Sequence, residues 1–166
     1  MSIKNIVILC IYGCLIAGCG SLERKEASFE KQHKAIITKN DRANSHAVKN
    51  ILYAKYRKWE GVRYQFGGLN RNGIDCSGLV HVIYKSGLGI ELPRTTQLQS
   101  RVGRKINKSD LKTGDLIFFI TGSSSRHVGI YLEDKKFIHA SRTKGVTISR
   151  LDNTYWKSKY WKSTRI

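Results

Sequence analysis

The segment Gly73-Ile74-Asp75-Cys76-Ser77-Gly78, followed by the apolar-patterned run Leu79-Val80-His81-Val82-Ile83-Tyr84, constrains this chain more than any other. A glycine-rich loop turns into a helix there, and Cys76 stands at the helix start. A helix N-terminus favours negative charge and therefore the thiolate over the thiol. A lone thiol in that position is suited to nucleophilic chemistry.

The cysteine pattern indicates that this thiol is alone. Of the four cysteines, Cys10, Cys14 and Cys19 lie in the first twenty residues. That stretch reads as a secretory signal: Lys4 supplies a positive charge, residues 6–16 are almost wholly apolar, and small Ala17 and Gly18 precede Cys19. The apolar run is too short to span a bilayer comfortably. Ile16-Ala17-Gly18-Cys19 resembles the bacterial lipobox, in which the cysteine becomes the lipidated first residue of the mature chain. A plain signal peptide or an apolar anchor is the alternative. On the lipobox reading residues 1–18 are removed, Cys19 is capped by lipid, and only Cys76 keeps a thiol. No intrachain disulfide can then form, although export leads to an oxidising compartment. No second cysteine and no suitably spaced histidine pair accompanies Cys76, so a zinc site is not expected; chemistry at the thiol itself needs no metal or organic cofactor. In a double-membrane host, Gly20 resembles the outer-membrane sorting pattern. The expected location is the cell envelope, anchored by lipid to the outer membrane and facing the periplasm.

The charge is strongly positive, with 30 Lys+Arg against 12 Asp+Glu. Loss of Lys4 leaves 29 against 12, about +17, on a mature chain of residues 19–166. Such a balance suits contact with polyanions, or else simply gives a well-solvated surface. No nucleic-acid motif is present, and the basic residues are spread rather than clustered with aromatics. Nucleic acid is therefore not an expected partner.

Residues 19–45 are polar, with no periodic apolar face to offset the entropy of ordering, and read as lipid attachment and a flexible tether, with a short helical piece around Phe29 to Ile37. A domain follows over 46–166. Val48, Leu52, Tyr53, Tyr56 and Trp59 fall at helical spacing, with Ser45 as N-cap and Gly61 as terminator. The Cys76 helix ends near Gly87 or Gly89, and a short helix is predicted from Thr95 to Val102. Apolar runs at Asp115–Ile120, His127–Leu132, Lys136–Ala140 and Val146–Ser149, separated by turn signals, read as strands. Helices followed by a strand meander predict an α+β fold, with the helices packed on a C-terminal antiparallel sheet.

A nucleophilic thiol needs a base, and the base needs an orienting group. His33 falls in the tether and His46 at the first helix start. His81 lies five residues after Cys76, about 140° away around the helix. His127 and His139 fit better. If their strands form a hairpin centred at residue 133, the two rings stand opposite each other on one face. A Cys76 helix packed on that face could reach His127, with His139 holding its far nitrogen. Taken alone, two strand histidines are more often structural.

At this point the chain resembles a family. Tyr64-x-x-Gly67-Gly68, Asp75-Cys76-Ser77-Gly78, Leu92-Pro93-Arg94-Thr95, Gly114-Asp115-Leu116, His127-Val128-Gly129-Ile130-Tyr131 and Ile138-His139-Ala140-Ser141 are similar to the motifs of NlpC-type cell-wall endopeptidases, papain-like cysteine peptidases. The resemblance runs from about residue 50 to 160, and is strongest to lipid-anchored murein endopeptidases of double-membrane bacteria. It implies a papain-like fold, Cys76 as nucleophile, His127 as base and then acid, and His139 as orienting residue where Asn or Asp is more familiar. It implies that the Tyr64 hydroxyl helps bind the oxyanion with the Cys76 N–H, and that Asp75 and Ser77 line the groove for a stem-peptide amine or merely cap the helix. Arg94 would contact a substrate carboxylate or serve structurally. Arg63 and Thr113 stand where proline is common, which affects loop stiffness more than chemistry.

The implied activity is hydrolysis of an amide in a peptidoglycan stem peptide or cross-link through an acyl-enzyme, by a monomer held at the membrane through lipidated Cys19. A non-catalytic murein- or partner-binding lipoprotein, and a peptidyl or acyl transferase using the same thiol, are the competing readings.

Overall fold

The computed structural model describes residues 43–166. The signal segment 1–18, Cys19, His33, the short helical piece and nearly all of the tether lie outside the described residues.

Helix α1 runs over 43–59. Ser45 lies inside it rather than capping it. Leu52 is fully buried, with Val48, Tyr53, Tyr56 and Trp59 packed beside it, which is the stripe the spacing predicted. Gly61, at φ 75°, turns the chain out of the helix. A two-stranded ribbon follows, β1 (Leu69–Asn70) and β2 (Gly73–Ile74), where sequence suggested only a loop. Buried Ile74 pins this ribbon to the core and bridges to Tyr64. Helix α2 (Cys76–Ile83) continues into a π-helical turn, Tyr84–Leu88, which Gly89 stops at φ 70°. Helix α3 is short, Thr96–Gln99, capped by the Thr95 side chain.

The six-stranded sheet comprises β3 (Arg104–Ile106), β4 (Leu116–Ile120), β5 (Arg126–Tyr131), β6 (Lys136–Ser141), β7 (Gly145–Arg150) and β8 (Tyr160–Arg165), in the order β3-β8-β4-β5-β6-β7. All its pairings are antiparallel. The predicted meander is β4 to β7. The C-terminal strand β8 returns to the other side of β4, preceded by helix α4 (Thr154–Lys159).

The continuous apolar run of β4 has a simple cause: the strand is buried on both faces. Leu116 and Phe118 join the main core with α1, α2, Val128, Ile130, Ile138 and Ala140. Ile117 and Phe119 point the other way, into a smaller core with Phe137, Leu151 and Trp156. Helices therefore cover the first face, while α4 covers part of the second.

Candidate active site

Asp75 organises the loop that leads into α2. As N-cap of α2, its Oδ1 accepts from the Gly78 N–H at 2.6 Å and from the Ser77 hydroxyl at 3.2 Å, and its Oδ2 accepts from the Gly67 N–H at 2.8 Å. Arg94 grips both oxygens, at 2.8 Å each, and also donates to the Ser77 hydroxyl and the Gly68 carbonyl at 3.1 Å. Burial pushes the Asp75 carboxyl upward, but the Arg94 bonds and the Gly78 and Gly67 N–H groups outweigh it and hold it below its usual value. Asp75, Ser77 and Arg94 thus form one internally satisfied network that fixes the start of α2.

Cys76 is the first residue of α2 and is 6% exposed. Its Sγ lies 3.6 Å from the Thr96 hydroxyl. Burial raises the thiol pKa. Thr96 and the N–H groups of Val128 and Ser77 favour the thiolate without offsetting burial, and the Asp75 charge adds to the rise. The helix start favours the thiolate, through the Ser77 N–H, while burial of the sulfur pulls the other way and is the larger effect.

The histidines lie on the opposite sheet face from the one α2 packs against. His127 is paired with Phe119, and His139 stacks near Phe137, both in the smaller core. The expectation that α2 covers the histidine face is corrected by this register. The hairpin is also centred one residue later than expected: Ile130 faces Ile138 and Tyr131 faces Phe137, around a turn with positive φ at Asp134 and Lys135. His127 and His139 are accordingly diagonal neighbours. The β5–β6 ladder ends at Ile130, so the strands part at the N-terminal end of β5. The N–H of Val128 bears on the Cys76 sulfur at that parting, which brings the thiol to the edge where the histidines stand.

The two rings meet directly. His127 Nε2 lies 2.9 Å from His139 Nδ1, and His139 Nε2 lies 2.9 Å from the Ser149 hydroxyl. Trp156 stacks on His127 at 5.3 Å and meets His139 edge-on at 4.8 Å. Burial, aided by the Arg142 charge, pushes His127 down to about 4, and burial pushes His139 down as well. Burial thus favours the neutral form of each group, the thiol of Cys76 and the imidazole of His127.

Tyr64, Cys76, Arg94, His127, His139 and Trp161 border one open cleft of about 2130 Å³. Burial raises the Tyr64 hydroxyl, keeping it protonated as a donor. Arg142 lies over the Tyr64 ring at 5.7 Å. His81 is elsewhere, with its Nδ1 2.6 Å from the Leu92 carbonyl oxygen. Sequence reasoning did not single out Thr96, Ser149, Trp156 or Arg142. Trp156 had one usable signal, since Asn153 caps α4, but a six-residue helix shows no periodicity.

A model of the NlpC/P60 family matches residues 61–165. The chain is 44% identical over 119 residues to the Escherichia coli (strain K12) protein named murein DD-endopeptidase MepS/murein LD-carboxypeptidase, covering 72% of this chain and 63% of that protein. It is 39% identical over 161 residues to the Escherichia coli (strain K12) protein named "Probable endopeptidase NlpC", covering 96% and 97%. A crystal structure of an NlpC/P60 family protein from Bacillus cereus matches with 36% identity and a TM-score of 0.65, over 70% of this chain and 39% of that one. The α+β fold is accordingly papain-like. On a family match covering residues 61–165, the chain belongs to the NlpC/P60 family.

Proposed function

We propose that the protein is a cysteine endopeptidase that hydrolyses amide bonds in peptidoglycan stem peptides or their cross-links. One observation carries the mechanism: the one cysteine thiol among the described residues, buried, shares a cleft with two histidines hydrogen-bonded at 2.9 Å. The names of the relatives, murein DD-endopeptidase and endopeptidase NlpC, support the substrate class.

His127 Nε2 is occupied by His139, which leaves Nδ1 to serve the thiol. As the sulfur attacks the amide carbon, the thiol proton passes to His127 Nδ1 and an S–C bond forms. The oxyanion is received by the Cys76 N–H, which has no partner within its helix, and by the Tyr64 hydroxyl. The C–N bond breaks and His127 returns the proton to the departing amine. A water molecule then gives its proton to His127 as its oxygen bonds the acyl carbon. The thioester breaks, and the proton returns to sulfur. With burial favouring the neutral thiol and imidazole, charge separates as the S–C bond is made. His139 orients His127, while Asp75, Ser77 and Arg94 fix the helix that carries the nucleophile.

Lipidation of Cys19 and residence at the outer membrane facing the periplasm, which the lipobox-like sequence and Gly20 support, complete this reading, with the protein acting as a monomer. Digestion of purified murein with mass analysis of the fragments tests it. New amino and carboxyl ends in stem peptides are expected; intact murein after prolonged incubation with folded protein contradicts the reading.

A further inference from the structure

The positive charge of this chain has a local expression beside the site. Seven cations line the cleft against two carboxylates, Asp75 and Asp152. Arg94 satisfies Asp75 and Arg150 satisfies Asp152. Arg101, Arg126, Arg142, Lys144 and Lys162 have no carboxylate within 4.0 Å among the described residues.

The sheet topology sorts these cations. Antiparallel pairing puts the end of β4 and the starts of β5 and β8 at one end of the sheet, together with the β6–β7 turn. Tyr64 and Arg142 belong to the β7 side, where Val62 bonds Val146. Lys162 lies on β8, two strand spacings, about 10 Å, from β5 on the side away from β7, and Arg126, next to His127 on β5, brings its guanidinium to the Trp161 ring of that strand.

Between them stands Trp161. Strand β8 slips by one residue against β4, with Phe118 facing Lys162 and Phe119 facing Tyr160, so Trp161 is the residue of the bulge. A bulge re-aims a side chain and is frequent beside functional sites. Trp161 is left 41% exposed, its ring edge-on to Phe118 at 6.4 Å. Lys162 Nζ lies 4.9 Å and Arg126 Cζ 5.5 Å from the Trp161 ring centre. Lys162 also donates to the Ser100 carbonyl, which ties β8 to the end of α3. The indole holds two cations in place before any ligand arrives, and covers them from water on one side.

We propose that Arg126, Trp161 and Lys162 form a subsite that seats a free carboxylate of the peptide substrate, on the opposite side of the Cys76–His127 pair from Tyr64. This rests on the peptidoglycan endopeptidase reading and adds to it a requirement for acidic substrate. Arg126 is the residue before His127, so a carboxylate held there fixes the amide against the dyad. The indole face would meet the aliphatic stem that bears the acid.

The test uses the full-length protein and two soluble substrates: a cross-linked stem-peptide dimer, and the same dimer with its free carboxylates amidated. Wild type should prefer the acidic dimer by about tenfold in kcat/KM, mostly through KM. Arg126→Gln and Lys162→Gln should each cut that preference to about threefold or less, while Trp161→Phe keeps most of it. Arg126 bonds only its neighbouring Ser125 carbonyl, so Arg126→Gln decides the matter if Lys162→Gln fails to fold. A preference equal in wild type and Arg126→Gln, or no preference in wild type, overturns the subsite and leaves the endopeptidase standing. Failure of wild type to cut either dimer overturns the endopeptidase reading, and the subsite with it.

Discussion

His127 Nε2 and His139 Nδ1 are 2.9 Å apart, and His139 Nε2 reaches the Ser149 hydroxyl at the same distance. One proton arrangement leaves His127 Nδ1 as an acceptor for the thiol. His127 donates from Nε2 to His139 Nδ1, and His139 donates from Nε2 to Ser149. His139→Ala removes the acceptor and frees the wrong tautomer, so kcat should fall about 10²- to 10³-fold. His139→Asn presents a carbonyl acceptor and should recover much of that loss. Steady-state kinetics across pH for both variants checks this, since a merely structural role predicts equal losses.

Acid lability follows from the same pair. Burial keeps both histidines neutral, with His127 pushed from 6.5 down to about 4. In the unfolded chain they take up protons near pH 6.5, so below that the unfolded state binds more protons. The stability from neutral burial is full above pH 6.5 and is lost as pH falls toward about 4. Thermal unfolding should show Tm dropping across that interval, with a shallower drop in a His127→Gln/His139→Asn double variant.

Arg94 clamps Asp75 through bonds of 2.8 Å to both carboxylate oxygens. Arg94→Ala leaves a buried carboxylate without its bidentate partner. The guanidinium side chain is 32% exposed, which tempers the loss to about 2 kcal/mol. Arg94→Lys should recover less than half, because an ammonium cannot match both oxygens. Urea denaturation midpoints measure both.

Gly129 sits where β5 and β6 part. A Cβ there would lie 2.6 Å from the Phe137 ring and 2.8 Å from the Ile138 carbonyl oxygen. Gly129→Ala should force the strands further apart, destabilise by about 1–3 kcal/mol and lower kcat by displacing His127. Denaturation and turnover measured on the same preparation test whether the two losses occur together.

Much of this was legible in the chain. The cap-and-turn pattern at Gly73–Gly78 located α2, and the apolar runs after Asp115, separated by turn signals, located β4 to β7. The even separation of His127 and His139 survived a one-residue error in register, because a slip of the hairpin centre by one keeps both on the same face. The contribution of β8, the face on which α2 packs and the Trp156 stack were not legible. Each depends on contacts between distant segments and leaves no local period: Tyr160–Arg165 alternates weakly, and Trp156 reaches the histidines only after the chain turns back at Asn153. The Asp75–Arg94 pair was noticed as two separate candidates. Only the fold shows that they satisfy each other.

The central claim is that the Cys76 sulfur attacks the murein amide. Wild type and Cys76→Ala, each shown to be folded by its thermal transition, should be compared on purified murein by the rate at which soluble fragments appear. The variant should lose at least about 10³-fold in rate with little change in Tm. Cleavage by Cys76→Ala at a rate near that of wild type would contradict it.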